Sequence, residues 1–305
     1  MIFFNAHIGR TAGLTLTYIL RRNFGDEFLK LGSKDLSKYL GKQRISPVTL
    51  MLTPDEINYI IDQCDKIPKC MSSHYLPIPT GLEALRQRFN NVKMITFLRD
   101  PIARVISHYF AFRKKRLLEV ELPKHVKYDY RYDMNNFFRN DKYVSSKYGI
   151  HNSTENHQTY FIDNSINIRK AISRLRNDFW FVGIVERFDE GLLILKDQFN
   201  KLGKNFDIMY MRQQIAPRTE EEINQLVTSE IRDKIKDTNK LDLQLYQEAK
   251  QIFEERKKSY SGDFESDLRE YRKRLRKWQL YQNQVSYKGK KIIEWVRNKF
   301  TIGHR

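Results

Sequence analysis

Residues 2–20 read Ile2-Phe3-Phe4-Asn5-Ala6-His7-Ile8-Gly9-Arg10-Thr11-Ala12-Gly13-Leu14-Thr15-Leu16-Thr17-Tyr18-Ile19-Leu20. An apolar run gives way to small and hydroxylated residues, then to leucine and isoleucine at helical spacing. That order predicts a buried strand over 2–8, a tight turn, and a helix beginning near Gly13. A small-residue turn between strand and helix aims several backbone N–H groups at one place. The helix dipole adds to them, and such a turn holds phosphate. Arg10 contributes a fixed positive charge, while Thr11 and Thr15 contribute hydroxyl donors. The pattern G-x-x-x-x-G-K-[ST] is not met, because no lysine follows Gly13. A turn packed for its own sake would look much the same, so this loop alone leaves the matter open.

Working outward, Val92 to Leu98 and Phe179 to Ile184 are further apolar runs of strand length, each followed by turn residues and a helical pattern. Asp100-Pro101 offers an N-cap and a proline at the first helical position, for a helix through Ile102, Val105, Ile106 and Tyr109. Asp189 is placed to cap another, carrying Leu192, Leu193, Leu195 and Phe199. This alternation predicts an α/β class: a P-loop-like, three-layer fold with a central parallel sheet flanked by helices, plus a helical C-terminal extension. The stretch from Lys114 to Asn177 is polar, aromatic and without clear period. Such insertions sit over the carboxyl ends of strands, where acceptors are held. From Glu220 onward the chain reads as helix. Residues 259–305 form a basic tail with 12 Lys/Arg and 5 Asp/Glu, so the expected division is 1–258 and 259–305.

The 305 residues carry 55 Lys and Arg against 37 Asp and Glu, a formal charge of +18 that calls for an anionic partner without choosing one. Cys64 and Cys70 have neither a disulfide framework nor metal-ligand spacing around them, and are expected to be reduced thiols. No run reaches the ~18 apolar residues of a membrane span. Residues 1–8 lack the basic start and cleavage site of a signal peptide, and the expected location is cytoplasmic. In the tail, Ile292, Ile293, Trp295, Val296 and Phe300 alternate with Lys and Arg. That pattern suits peripheral membrane contact, docking on the chain's own domain, or a second subunit.

A second element narrows the anion. Phe97-Leu98-Arg99-Asp100-Pro101-Ile102-Ala103-Arg104-Val105-Ile106-Ser107 places Arg99 at a strand end and Ser107 two turns into the following helix. An arginine and a hydroxyl converging there suit a second phosphate, away from the first. Here the sequence resembles the carbohydrate sulfotransferases that use PAPS (3′-phosphoadenosine 5′-phosphosulfate). "HIGRTAGLTL" is similar to their H-I-x-K-T-x-G-[ST]-[ST] loop, and "FLRDPIARVISHYF" to their L-R-D-P-x-x-R-x-x-S-x-[YW] segment. "FVGIVERFDEGLLIL" and "INQLVTSEIRDKIKDTNKLDLQLYQEAKQIFEER" extend the resemblance, the latter to the heparan sulfate 6-O-sulfotransferase type. It covers most of residues 2–258 and none of the tail.

The resemblance implies that Arg10, Thr11, Ala12, Gly13, Leu14 and Thr15 hold the 5′-phosphosulfate, and that Arg99 and Ser107 hold the 3′-phosphate. It implies His74, in Ser72-Ser73-His74, as the general base, and Arg212 and Arg218 as donor contacts from a closing connection. His7 and His108 are expected to be structural. His157, with Asn156, Gln158 and Thr159, is expected near the acceptor, as is His151. Two positions depart from the family pattern: Arg10 stands for its lysine, and Leu14 for its first Ser/Thr after the glycine. Arginine neutralises charge on a leaving phosphate but does not readily donate a proton.

The expected activity is therefore transfer of the sulfuryl group of PAPS to an acceptor hydroxyl, with PAP as product and no metal. The expected acceptor is a saccharide or glycolipid, not nucleic acid. The rivals are a protein that binds PAPS or PAP without turnover and, less in keeping with the missing G-K-[ST], a P-loop kinase.

Overall fold

A computed structural model describes residues 1–32, 38–40, 52–74, 78–118, 155–213 and 219–301. Five parallel strands form its sheet: β1 (Ile2–Ala6), β2 (Phe28–Leu31), β3 (Cys70–Ser73), β4 (Val92–Leu98) and β5 (Phe179–Ile184). Their spatial order is β2-β3-β1-β4-β5. The helices are α1 (Gly13–Phe24), α2 (Pro54–Asp62), α3 (Ile78–Arg88), α4 (Pro101–Leu118), α5 (His157–Asp163), α6 (Ile168–Asn177) and α7 (Phe188–Lys201). Then follow α8 (Glu220–Leu226), α9 (Ser229–Thr238), α10 (Lys240–Lys258) and α11 (Phe264–Thr301). The architecture is the expected α/β class, with a central parallel sheet flanked by helices and a helical C-terminal region.

All-parallel strands are buried on both faces and so read as continuous apolar runs. Ile2, Phe3 and Phe4 of β1 are buried, as are Met94, Ile95, Phe97 and Leu98 of β4. Each fully buried Leu, Ile or Phe contributes about 1.5–3 kcal/mol. The order of strands sets where chemistry can sit. From β1 the chain travels to β2 at one edge; from β4 it travels to β5 at the other. The loops leaving β1 and β4 therefore part at neighbouring strand ends, and the crevice between them is where such sheets bind ligands.

One local reading differs from expectation. Asp189 lies inside the first turn of α7 and does not cap it; Arg187 is the N-cap residue and makes no side-chain cap bond. The Asp189 carboxylate instead accepts from Tyr210 Oη at 2.8 Å and Arg272 Nε at 3.3 Å. The basic tail begins in the core: Phe264, Leu268, Tyr271 and Leu275 of α11 are buried in the same cluster as the sheet. Cys64 and Cys70 are both free thiols. No helix among the described residues is long and apolar enough to cross a membrane.

Candidate functional site

The loop after β1 is strained and closely fitted. Arg10 and Ala12 both have left-handed backbone, with φ of 68° and 60°. Each costs roughly 1–2 kcal/mol for a residue with a Cβ. Such strain persists only where surrounding structure enforces it, and it gathers at ligand sites. Ala12 is the N-cap of α1 and supplies no side-chain bond to the helix, and the first turn holds no acidic residue. The leading N–H groups of α1 have no partner within the helix itself. Gly13 is dictated by contact: a Cβ there would lie 1.6 Å from Cδ2 of His7.

Around this turn the sequence-distant residues meet. The Arg10 guanidinium donates to Ser107 Oγ from Nε at 3.3 Å and from Nη2 at 3.1 Å. Arg99 Nη1 donates to the Arg10 carbonyl at 3.2 Å, and its Nε lies 3.9 Å from Glu186 Oε1. Arg10 and Ser107, expected at two separate phosphates, are therefore hydrogen-bonded to one another. The Asp100 carboxylate accepts the Ala103 N–H at 2.8 Å, which caps α4 and sets the helix that carries Ser107.

Thr11 and Thr15 are both buried. Thr11 Oγ1 donates to the Ile8 carbonyl at 3.0 Å, so its hydroxyl shapes the turn. Thr15 Oγ1 accepts the Gln213 N–H at 3.2 Å, tying the connection before α8 to the start of α1. The same connection is pinned at the other end of α1, where Asn23 and Asp207 exchange hydrogen bonds. Leu14 is half-buried on the first turn. Arg212 is exposed on this connection, beside Tyr210. Arg218 and His151 lie outside the described residues, as do the rest of residues 119–154 of the middle section.

His74 follows β3 directly. Its ring packs tilted against that of His7, centroids 3.6 Å apart and planes at 33°. Burial pushes His74 down to about 4; a hydrogen bond with the His7 backbone opposes this, and the charge of Lys30 adds to it. Burial also holds His7 well below its ordinary value, reinforced by His74, Lys30 and Arg10. Both imidazoles are therefore neutral at neutral pH, and His74 carries a lone pair able to accept a proton. His74 keeps part of its surface open while His7 is closed off behind it.

Two contributors, Lys30 and Glu186, were not foreseen. Lys30 stands exposed on the edge strand β2, opposite Ser72 of β3, within electrostatic reach of both histidines. Its only signal was a lone cation in the apolar run Phe28 to Leu31. Glu186, just past β5, accepts the Asp100 N–H at 3.2 Å and the Tyr246 hydroxyl at 2.8 Å. Gln158 is fully buried against the Arg99 main chain. His157, expected near the acceptor, lies with its Nε2 3.8 Å from where a Cβ on Gly9 would stand. A separate cavity of about 810 Å³, lined by α7, residues 205–209 and α11, contains none of the expected site residues. Among the described residues no cluster of His, Cys, Asp and Glu has metal-holding geometry.

No family model matches this chain, and no curated protein matches it. Among solved structures, it is similar to a sulfotransferase from Alicyclobacillus acidocaldarius. The match covers 80% of this chain and 96% of that one, at a TM-score of 0.40 and 12% identity. At that score the similarity carries no weight for the activity.

Proposed function

We propose that the chain is a sulfotransferase that takes the sulfuryl group of PAPS to an acceptor hydroxyl. One observation carries this reading: Arg10 of the β1 loop, Arg99 at the end of β4 and Ser107 of α4 form a single hydrogen-bonded cluster beside the uncapped start of α1. A helix N-terminus and two guanidinium groups make a site for a ligand with more than one anionic group. A nucleotide bearing both a 5′-phosphosulfate and a 3′-phosphate meets that description. ATP, lacking the 3′-phosphate, leaves Arg99 and Ser107 unexplained.

In this reading the amides of residues 12–15 and the Arg10 guanidinium hold the 5′ end, while Arg99 and Ser107 turn to the 3′-phosphate. Arg212, and Arg218 beyond it, reach the nucleotide from the connection anchored on Thr15. The acceptor oxygen bonds to sulfur as the bond from sulfur to the phosphate oxygen breaks. The acceptor proton passes to the neutral His74, and Arg10 meets the charge on the departing phosphate. The products are a sulfated acceptor and PAP. No metal takes part, since guanidinium groups and backbone N–H groups supply the positive charge. A saccharide or glycolipid hydroxyl is the acceptor this reading favours, from the carbohydrate-type loop and Ser-Ser-His segment.

A specific observation favours a second reading, in which PAP or PAPS is bound without turnover. A histidine held at about 4 is a weak base, and its ring packs against that of His7. Incubation with PAPS labelled in the sulfuryl group, against a panel of polysaccharides and glycolipids, separates the two. Transfer that His74→Ala abolishes supports the enzyme. Tight PAP binding with no labelled acceptor, unchanged in His74→Ala, supports the binding protein.

A further inference from the structure

Gln158 sits in the first turn of α5, fully buried, with its carboxamide committed at both ends to one residue. Its Oε1 accepts the Arg99 N–H at 2.9 Å, and its Nε2 donates to the Arg99 carbonyl at 2.8 Å. β4 ends at Leu98, so Arg99 is the residue at which the chain leaves the sheet. A carboxamide presents the same donor and acceptor pair as a peptide group. Gln158 thus continues the ladder for one residue and fixes the direction in which Arg99 departs.

Gln158 is itself rigidly held. The buried Asp242 carboxylate accepts the Gln158 N–H at 3.0 Å, the Thr159 N–H at 2.7 Å and the Thr159 hydroxyl at 2.8 Å. In return, Asn156 Oδ1 accepts the N–H groups of Leu241 and Asp242 at 3.0 and 3.2 Å. The N-termini of α5 and α10 therefore cap each other, each satisfying amides the other helix leaves open. The same turn reaches the first loop through His157, beside Gly9. One braced turn of α5 is bonded to the end of β4 and stands beside the loop after β1.

We infer that Gln158 is a positioning residue for recognition of the donor's 3′-phosphate, acting through the Arg99 main chain. This rests on the PAPS reading above. The Arg99 guanidinium has to reach past the Arg10 carbonyl and Glu186, so a small rotation of its backbone displaces the charge from the phosphate. A residue that merely filled space would weaken all nucleotides alike. One that orients Arg99 weakens only those carrying a 3′-phosphate.

The test compares PAP with 5′-AMP, which lacks that phosphate, by calorimetry on the full chain. Gln158→Glu keeps the shape but turns an acceptor toward the Arg99 carbonyl. Expected are a roughly tenfold loss of PAP affinity, 5′-AMP within about twofold, and faster hydrogen exchange at the Arg99 amide. Should that variant unfold, Gln158→Met, which brings no charge, carries the same comparison. Loss of both nucleotides in proportion, or an unchanged ratio of affinities, overturns the inference. A wild-type chain that does not prefer PAP to 5′-AMP refutes the PAPS reading itself, and the inference falls with it. A variant that fails to alter the wild-type preference refutes Gln158's role alone.

Discussion

Arg10 and Ser107, 97 residues apart in the chain, are joined by two hydrogen bonds from one guanidinium to one hydroxyl. The contact links the loop after β1 to the helix after β4, across the crevice where the two chain directions part. It makes the loop after β1 and the helix after β4 a single hydrogen-bonded unit around the Arg10 charge.

Removing that unit's central charge is expected to weaken PAP strongly. A hydrogen bond to a charged group is worth about 1.5–3 kcal/mol, so Arg10→Ala costs roughly tenfold to a hundredfold or more in affinity. Arg10→Lys keeps the charge, loses the fork that grips Ser107, and is expected to bind PAP while transferring faster. Calorimetry and single-turnover transfer from labelled PAPS check both; an Arg10→Ala chain with unaltered PAP affinity contradicts the assignment.

His74→Ala is expected to lower transfer by roughly 10²–10⁴-fold, the range for a positioned base, while PAP binding changes little. The discriminating measurement is the split between the two. Parallel loss of binding and transfer would make His74 a packing residue for His7.

The paired histidines also predict a pH dependence of stability. Burial holds His74 down to about 4 from 6.5, and His7 well below its ordinary value. Between those limits the unfolded chain binds protons that the folded chain does not. Stability is thus fully present above the unfolded value near 6.5 and is lost as pH falls toward about 4. Urea midpoints should drop between about pH 7.5 and about pH 5, and less so in His74→Gln. A flat profile would mean that the imidazoles are not buried as a neutral pair.

Asp242 is buried beside Arg104, which is also buried, and its carboxyl is pushed up by burial against the opposing charge and three hydrogen bonds. Asp242→Ala strips the cap from α5 and leaves the Arg104 charge less compensated, at an expected cost of about 3–5 kcal/mol. Equilibrium urea unfolding reads this directly. A change within experimental error would show that α5 does not depend on its cross-cap.

The tail should matter to the donor site. Tyr271 Oη donates to the Ile208 carbonyl at 3.0 Å and Gln279 Nε2 to the Tyr210 carbonyl at 2.9 Å, both on the connection whose Gln213 N–H donates to Thr15. Gln279→Leu with Tyr271→Phe is expected to weaken PAP about threefold to tenfold through a loosened connection. Unchanged affinity in the double variant would limit α11 to core packing.

Elements that announce themselves by period were legible: β1, β4, β5, α1 and α4 lie where the apolar runs and Asp100-Pro101 put them. The strand β2 was not, because four residues containing Lys30 make too short a run to separate from loop. Asp189 misled because an acidic residue near a helix start serves equally as a cap, a first-turn charge or, as here, an acceptor for Tyr210. Arg10, Arg99 and Ser107 were singled out from the residues around two strand ends, and His74 from the family resemblance; the structure joins the first three by hydrogen bonds. The brace behind them could not be named, since Gln158 to Asp242 spans 84 residues and depends on two helix ends meeting.

The most direct test of the donor assignment is calorimetric titration of the wild-type chain with PAP and with 5′-AMP under the same salt. The account predicts one PAP site per chain, at least tenfold tighter than 5′-AMP, with that margin lost in Arg99→Ala. No PAP binding, or equal affinity for the two nucleotides, would contradict it.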